Sequence, residues 1–359
     1  MTTMHRITSP TDPALTELCS RLRELGPELD RPDAWPAEQL RLCAEAGVHE
    51  WFLPATAGGQ GWNEADLLRG YLQLSAACLT TAFILTQRVG ACTRIAGSGN
   101  KFAHERLLPQ LLSGEIFATV GISHLTTSRQ HVKPVLQARE TPAGFVLDGF
   151  SPWVTGAEHA QVVVTGATFA DGRQILVALP TNLPGVRIPT APELVSLTAS
   201  RTGPVHCNSV EVSRDWLLAG PIEQVMKQGL GAKTGGLQTS TLAAGLSTAA
   251  LGYLDQESRE RDVFIEPAAA MRTELNDLIA DLLALAEGEQ PCAADDARGR
   301  ANSLALRATQ AALVAAKGTG FLAGHPAGRW CREALFFLVW SCPPAVLNAN
   351  LCEFAGINS

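Results

Sequence analysis

Trp153 and Thr155, in the stretch SPWVTGAEHAQVVVTGA, carry the most pointed chemical suggestion in the chain. They are two positions apart, so on an extended backbone they face the same side. An indole beside a hydroxyl could flank a planar heterocycle, with the hydroxyl donating to a ring nitrogen. The plainer reading of the two residues alone is a core Trp on a sheet. Arg261, in ERDVF, is similarly open: a solvated arginine or a phosphate clamp. Gly318 and Gly320, in KGTGFLAGHP, follow a long helical pattern and could form a helix cap and turn. Gly58, Gly59 and Gly61, in LPATAGGQGW, read as a tight connection between helices, because no strand precedes them and no Walker lysine follows. His124 and His159 have no metal-ligand spacing around them. Near the end, LFFLVWSCPPAVLNANLCEFAG breaks a helical pattern at Ser341, Cys342 and two prolines. Proline cannot continue a helix hydrogen-bond ladder, so the break is enforced locally.

The elements that must position these residues fall into three regions. Residues 1–116 read as a helical domain: PAEQLRLCAEAG, ADLLRGYLQLSAACLTTAFIL and FAHERLLPQLLSGE all show helical spacing. Residues 117–220 change to short runs rich in β-formers, among them GFVLDGF, QVVVTGA and QILVALP, and predict a small β-barrel or sandwich. Residues 221–359 return to helical spacing. The Ala-rich LQTSTLAAGLSTAALGYLDQESRERD predicts a helix buried on most sides. Two further long helices and the C-terminal segment complete an expected four-helix bundle. The fold class is thus mainly α with a central β-domain.

Composition narrows the function classes. The chain has 359 residues, 46% of them hydrophobic and 18% charged, which predicts a well-buried globular protein of two or three subdomains. The net charge is -7 and the basic residues are scattered, so no nucleic-acid footprint is expected. Nine cysteines at irregular spacing, without a C-x-x-C, predict free thiols in a reducing cytosol. The first residues lack a signal peptide's apolar segment, and no apolar run reaches the roughly 20 residues of a membrane span. A cytoplasmic protein without metal is expected.

The ordered set resembles the acyl-CoA dehydrogenase family of flavoproteins, over about residues 34 to 356. WFLPATAGGQGW is similar to its Pro-x-x-x-Gly-Gly-x-Gly turn. LLPQLLSGE resembles the helix leading into its β-domain. VGIS stands where a strand leads into Thr-Glu-Pro, and PWVTGA resembles Trp-Ile-Thr-Asn-Gly. RDVFIEP resembles Arg-x-x-Phe-Gly-x-Pro, and GTGFLAGHPAGRWCREA resembles Gly-Tyr-Gly-Tyr…Pro-x-x-Arg-x-x-Arg-Asp. The resemblance implies FAD. It would place Trp153 on the isoalloxazine, Thr155 near N5, and Val120, Ile122 and Ser123 at the pyrimidine edge. Arg261, with Phe264 beside it, would reach a pyrophosphate, of the flavin bound by a neighbouring subunit. Gly318 and Gly320 would let backbone approach that cofactor. A homodimer or homotetramer is implied, with an electron-transfer flavoprotein or a flavin reductase as redox partner.

The sequence also departs from the family pattern. Ser123-His124-Leu125 replaces Thr-Glu-Pro, and Arg129 stands where a Ser-Asp loop begins. Ile265, Arg272 and Lys317 replace a Gly, a Gln and a Gly. The family's base is a carboxylate that removes the substrate α-proton, and its position falls on Ser341. The alternative position in some members falls at about Gly235. Neither is a carboxylate. Cys342 could act only as a thiolate, which an apolar setting disfavours. Three activities follow as expectations: α,β-dehydrogenation of an acyl-CoA with a base from elsewhere; flavin-dependent monooxygenation or oxidation, which needs no such base; or flavin or acyl binding without turnover.

Overall fold

The computed structural model describes residues 5–126, 135–228 and 236–357. Arg129 and Gly235 lie outside them.

Five helices come first: α1 (Pro13–Leu25), α2 (Ala37–Glu45), α3 (Glu64–Ala77), α4 (Leu79–Gly97) and α5 (Lys101–Ser113). Their starts follow capping chemistry. Asp12, Asn63 and Asn100 accept the backbone N–H groups of Ala14, Asp66 and Ala103 at 3.0, 2.8 and 2.9 Å. Gly114, at φ +77, ends α5. The GGQG stretch lies between a short 3-10 turn and α3. A Cβ at Gly59 would lie 2.0 Å from the Leu53 carbonyl oxygen, so close packing on Leu53 explains that glycine.

Eight strands follow: β1 (Ala118–Gly121), β2 (Leu136–Glu140), β3 (Gly144–Val154), β4 (Val162–Thr168), β5 (Gln174–Pro180), β6 (Val186–Arg187), β7 (Gly203–Ser213) and β8 (Leu217–Ile222). A four-residue helix, α6 (Ser123–Thr126), follows β1. The strand order is β6-β7-β3-β2-β4-β5-β8, with β1 parallel to β4. Every position of β4 except Thr168 is buried, because both faces of the strand are covered. Val162 and Val164 pack with residues of α4 and α5, whereas Val163 packs within the β-domain with Phe145, Val177 and Val205.

The bundle comprises α7 (Leu237–Ser258), α8 (Ile265–Ala286) and α9 (Ala294–Ala316). α10 (Pro326–Ala334), a 3-10 turn (Leu335–Leu338) and α11 (Pro344–Ala355) complete it. The Ala-rich first half of α7 is buried continuously from Thr239 to Ser247. It approaches α3 so closely that a Cβ at Gly245 would overlap Ser75 Oγ. One apolar core therefore runs from the N-terminal helices into the bundle. Among the described residues, no helix is long and apolar enough to cross a membrane. All nine cysteines are free thiols.

Lys317 ends α9 at φ 54, ψ -146, a region that suits glycine. Lys317→Gly should therefore stabilise the chain by about 1 kcal/mol, as strain relief outweighs the added unfolded-state entropy. A higher urea midpoint at unchanged slope would show it; an equal or lower midpoint would sink it.

Candidate functional site

The predicted site residues form two groups. The first lies where β1 ends beside β3. Val120 and Ile122 are buried apolar residues, and Ser123 opens α6. The Ser123 hydroxyl is buried without a hydrogen-bond partner, as are those of Thr119 and Ser151. Ser151 faces β1, since a Cβ at Gly121 would lie 2.6 Å from its Oγ. His124 places Nε2 2.8 Å from the Gly166 carbonyl. Burial holds its imidazole neutral, so Nε2 carries the proton and donates it there. Nδ1 is then a buried acceptor without a partner.

Trp153 and Thr155 do not share one exposed face. Trp153 is 58% exposed, whereas Thr155 is 3% exposed. The pairing of β3 with β7 shifts register between Ser151 and Val154, and β3 ends at Val154, so strict alternation fails there. Thr155 Oγ1 lies 3.0 Å from Thr202 Oγ1, which lies 2.8 Å from Ser200 Oγ. If each hydroxyl in this row donates toward Thr155, the Thr155 proton remains available to another acceptor.

The second group gathers at the end of α9. The Arg261 guanidinium pairs with Glu257, donates to the Ala315 carbonyl at 2.6 Å, and lies 4.5 Å from the Phe264 ring centroid. It is thus held by its own chain. Gly318 has open space where a Cβ would be. Gly320 does not: its Cβ would lie 2.8 Å from both Leu313 and Ala316, so internal packing accounts for that glycine. No hydrogen bond or ion pair among the described residues links the two groups. At neighbouring departures from the family pattern, Ile265 begins α8 and Arg272 pairs with Asp255.

Ser341 lies between the 3-10 turn and α11, exposed, at φ 47. Cys342 is half-buried, and burial pushes its thiol up while Arg298 opposes the shift. A thiolate base is disfavoured there. The segment before Ser341 is clamped from two sides. From α4, Phe83 meets Phe336 and Trp340 edge-on at 4.8 and 5.0 Å, and those two rings stack at 5.2 Å. From α9, buried Arg298 donates to the carbonyls of Phe337 and Trp340 at 3.1 and 2.9 Å and to Asn302 Oδ1 at 2.9 Å. Burial lowers this guanidinium to about 10, so it remains a cation at neutral pH. The sequence reading missed Phe83, Arg298 and Asn302. A faint signal existed: Arg298 and Asn302 are four apart on the Ala-rich face of α9, where a polar pair needs buried partners. Arg298→Met should cost about 2 kcal/mol, since it leaves the Trp340 carbonyl unpaired. Chemical denaturation checks this, and wild-type stability would refute it.

An exposed indole at Trp153, two residues after the unpartnered buried hydroxyl of Ser151, fits a flavin ring edge, which would supply an electron acceptor when bound. Among the described residues no cluster of three or more His, Cys, Asp or Glu could hold a metal.

Residues 18–115 match the family described as acyl-CoA dehydrogenase, N-terminal domain. The probable acyl-CoA dehydrogenase YngJ of Bacillus subtilis is 23% identical over 337 residues, covering 87% of this chain and 88% of that protein. A shorter match, 25% identical over 142 residues, is to the oxygenase component of p-hydroxyphenylacetate 3-hydroxylase from Acinetobacter baumannii. It covers 39% of this chain and 31% of that protein. The structure of a glutaryl-coenzyme A dehydrogenase in complex with glutaryl-CoA superposes with a TM-score of 0.79 at 17% identity, over 96% of each chain. The family match over residues 18–115 and a relative spanning 87% of the chain support membership of the acyl-CoA dehydrogenase family, whose fold this chain shares.

Proposed function

We propose that this chain is an FAD-dependent oxidoreductase that performs α,β-dehydrogenation of an acyl-CoA or related acyl thioester. The observation that carries the proposal is exposed Trp153 beside the hydroxyl row Thr155–Thr202–Ser200 and the unpartnered Ser123 and Ser151. Trp153 would cover the ring system. Thr155 would donate to its edge, and Ser123 would do the same with the backbone near Val120 and Ile122. Arg261 would exchange its own partner Glu257 for a pyrophosphate, with Phe264 beneath it and Gly318 leaving room. A homo-oligomer would bring that arginine to a neighbouring subunit's flavin. The outward stripe of Leu347, Leu351 and Phe354 on α11 supports such an assembly. An electron-transfer flavoprotein would accept the electrons.

One observation favours a second reading, a monooxygenase or oxidase on the same fold. Ser341 has no acid–base capacity near neutral pH, and oxygen-dependent flavin chemistry needs no α-proton base. A flavin reductase would then replace the electron-transfer flavoprotein.

The visible spectrum of the purified protein, with and without added FAD, tests both. No flavin under either condition would sink them and leave a protein without flavin turnover. With flavin present, anaerobic bleaching by an acyl-CoA supports dehydrogenation. Reduction only by a flavin reductase, followed by oxygen-dependent product, supports the monooxygenase.

A further inference from the structure

A cleft of about 460 Å³ opens between α2, the end of α5 and the β-domain, away from the Ser341 segment. Arg88, at its buried end, is 2% exposed. Its guanidinium makes one hydrogen bond, to the Leu111 carbonyl, and no described carboxylate lies within ion-pairing distance. The carbonyl end of α5 offsets part of this charge, but a helix terminus supplies only about half an elementary charge. A guanidinium has five N–H donors, so most of its capacity is unused. Beside it, His49 is 5% exposed. The Leu112 backbone approaches, yet neither ring nitrogen completes a hydrogen bond by distance and angle. Burial first, and Arg88 second, hold this imidazole neutral, so it offers one N–H and one lone pair.

The side wall is flat and aromatic. Trp35 stacks on His159 at 4.2 Å and 13°, and meets Phe117 edge-on at 5.3 Å. It is also rigid, since Gly156 packs so closely that a Cβ there would lie 2.7 Å from both Trp35 and Phe117. The acidic lining groups stand at the mouth. Glu45 is paired with Arg41, their side chains 41% and 39% exposed, and Glu115 is exposed. The cleft therefore has a positive buried pole, an aromatic wall and a solvated, mixed-charge rim.

We infer that this cleft binds an aromatic carboxylate, with the carboxylate on Arg88 and His49 and the ring along Trp35. A buried arginine without a counter-ion is costly, and a bidentate carboxylate satisfies both its charge and its planar donors. The unpartnered imidazole supplies the remaining N–H. The aromatic wall selects a flat ligand over a merely anionic one.

Calorimetric titration of the purified full chain with benzoate tests the inference. Saturable one-to-one binding is expected. Benzamide, the neutral isostere, should bind about tenfold weaker or worse, as should cyclohexanecarboxylate, which is charged but not flat. Arg88→Gln should lose benzoate binding by a similar factor. Should that variant fail to fold, His49→Leu and Trp35→Leu provide the same readout. Trp153→Leu should leave affinity unchanged, which separates this cleft from the proposed flavin site and from the function proposed there. No saturable binding of benzoate would overturn the inference. So would equal affinity for benzamide or cyclohexanecarboxylate, parental affinity in folded pole variants, or loss in Trp153→Leu alone.

Discussion

Ser341→Glu is expected to raise acyl-CoA dehydrogenation by roughly 10²- to 10⁴-fold, the usual contribution of a positioned general base. That corresponds to about 3 to 5 kcal/mol of barrier. The backbone is ready to present the new side chain. The Trp340 carbonyl is fixed by Arg298, and Pro343 and Pro344 set the start of α11 immediately after. Ser341 already occupies φ 47 with a Cβ, so Glu adds little backbone strain. Its exposed position also keeps an unliganded carboxylate hydrated and ionised. Anaerobic mixing with a panel of acyl-CoAs, followed by the loss of the oxidised flavin band, measures the gain. Ser341→Gln, of similar size but without a carboxylate, should remain at the parental rate. A gain in the Glu variant alone shows that the pocket still presents an α-carbon to this position. No gain counts against an acyl-CoA in that pose and moves the balance to the monooxygenase reading.

The three-region order was legible because each region buries apolar side chains with its own period. α7 shows this most directly: a long Ala-rich run with almost no charge has nowhere to go but a core. The GGQG turn was legible for a negative reason, the absence of strand and lysine. The Trp153–Thr155 pair was only half legible. Their types suggested the chemistry, but the register shift after Ser151 sends the indole outward while the hydroxyl is buried. The clamp on the Ser341 segment was not legible at all. Arg298 meets carbonyls 39 and 42 residues away, and backbone carbonyls leave no trace in a sequence. Gly320 misled in the opposite direction. A glycine that permits close approach looks the same whether the approaching atoms belong to a cofactor or, as here, to Leu313 and Ala316.

Glu333→Gln should stabilise the chain by about 3 kcal/mol above pH ~7 and by almost nothing below pH ~4.5. Glu333 lies buried on α10, beside a void of about 10 Å³ that is at the lower limit for one water. Burial pushes its carboxyl up to about 7 from an ordinary value near 4.5. Arg329 opposes the shift, but Arg329 and Arg332 are shared with Asp30, at 3.6 and 3.7 Å, and Asp30 itself raises Glu333 further. The sign follows from proton counting. Below about 4.5 the carboxyl is protonated in both folded and unfolded chains, so it costs nothing. Between about 4.5 and 7 the unfolded chain ionises while the folded chain keeps its proton, so stability falls as pH rises. Above about 7 both are ionised and the full penalty persists. Glutamine keeps the shape and cannot ionise, so it removes this slope and leaves those of the other carboxylates. Urea unfolding of both proteins across the range gives the difference at each pH. A gap that opens with rising pH and then levels off is expected. A gap independent of pH, or a variant less stable at alkaline pH, would show that Arg329 and Arg332 fully neutralise the buried charge.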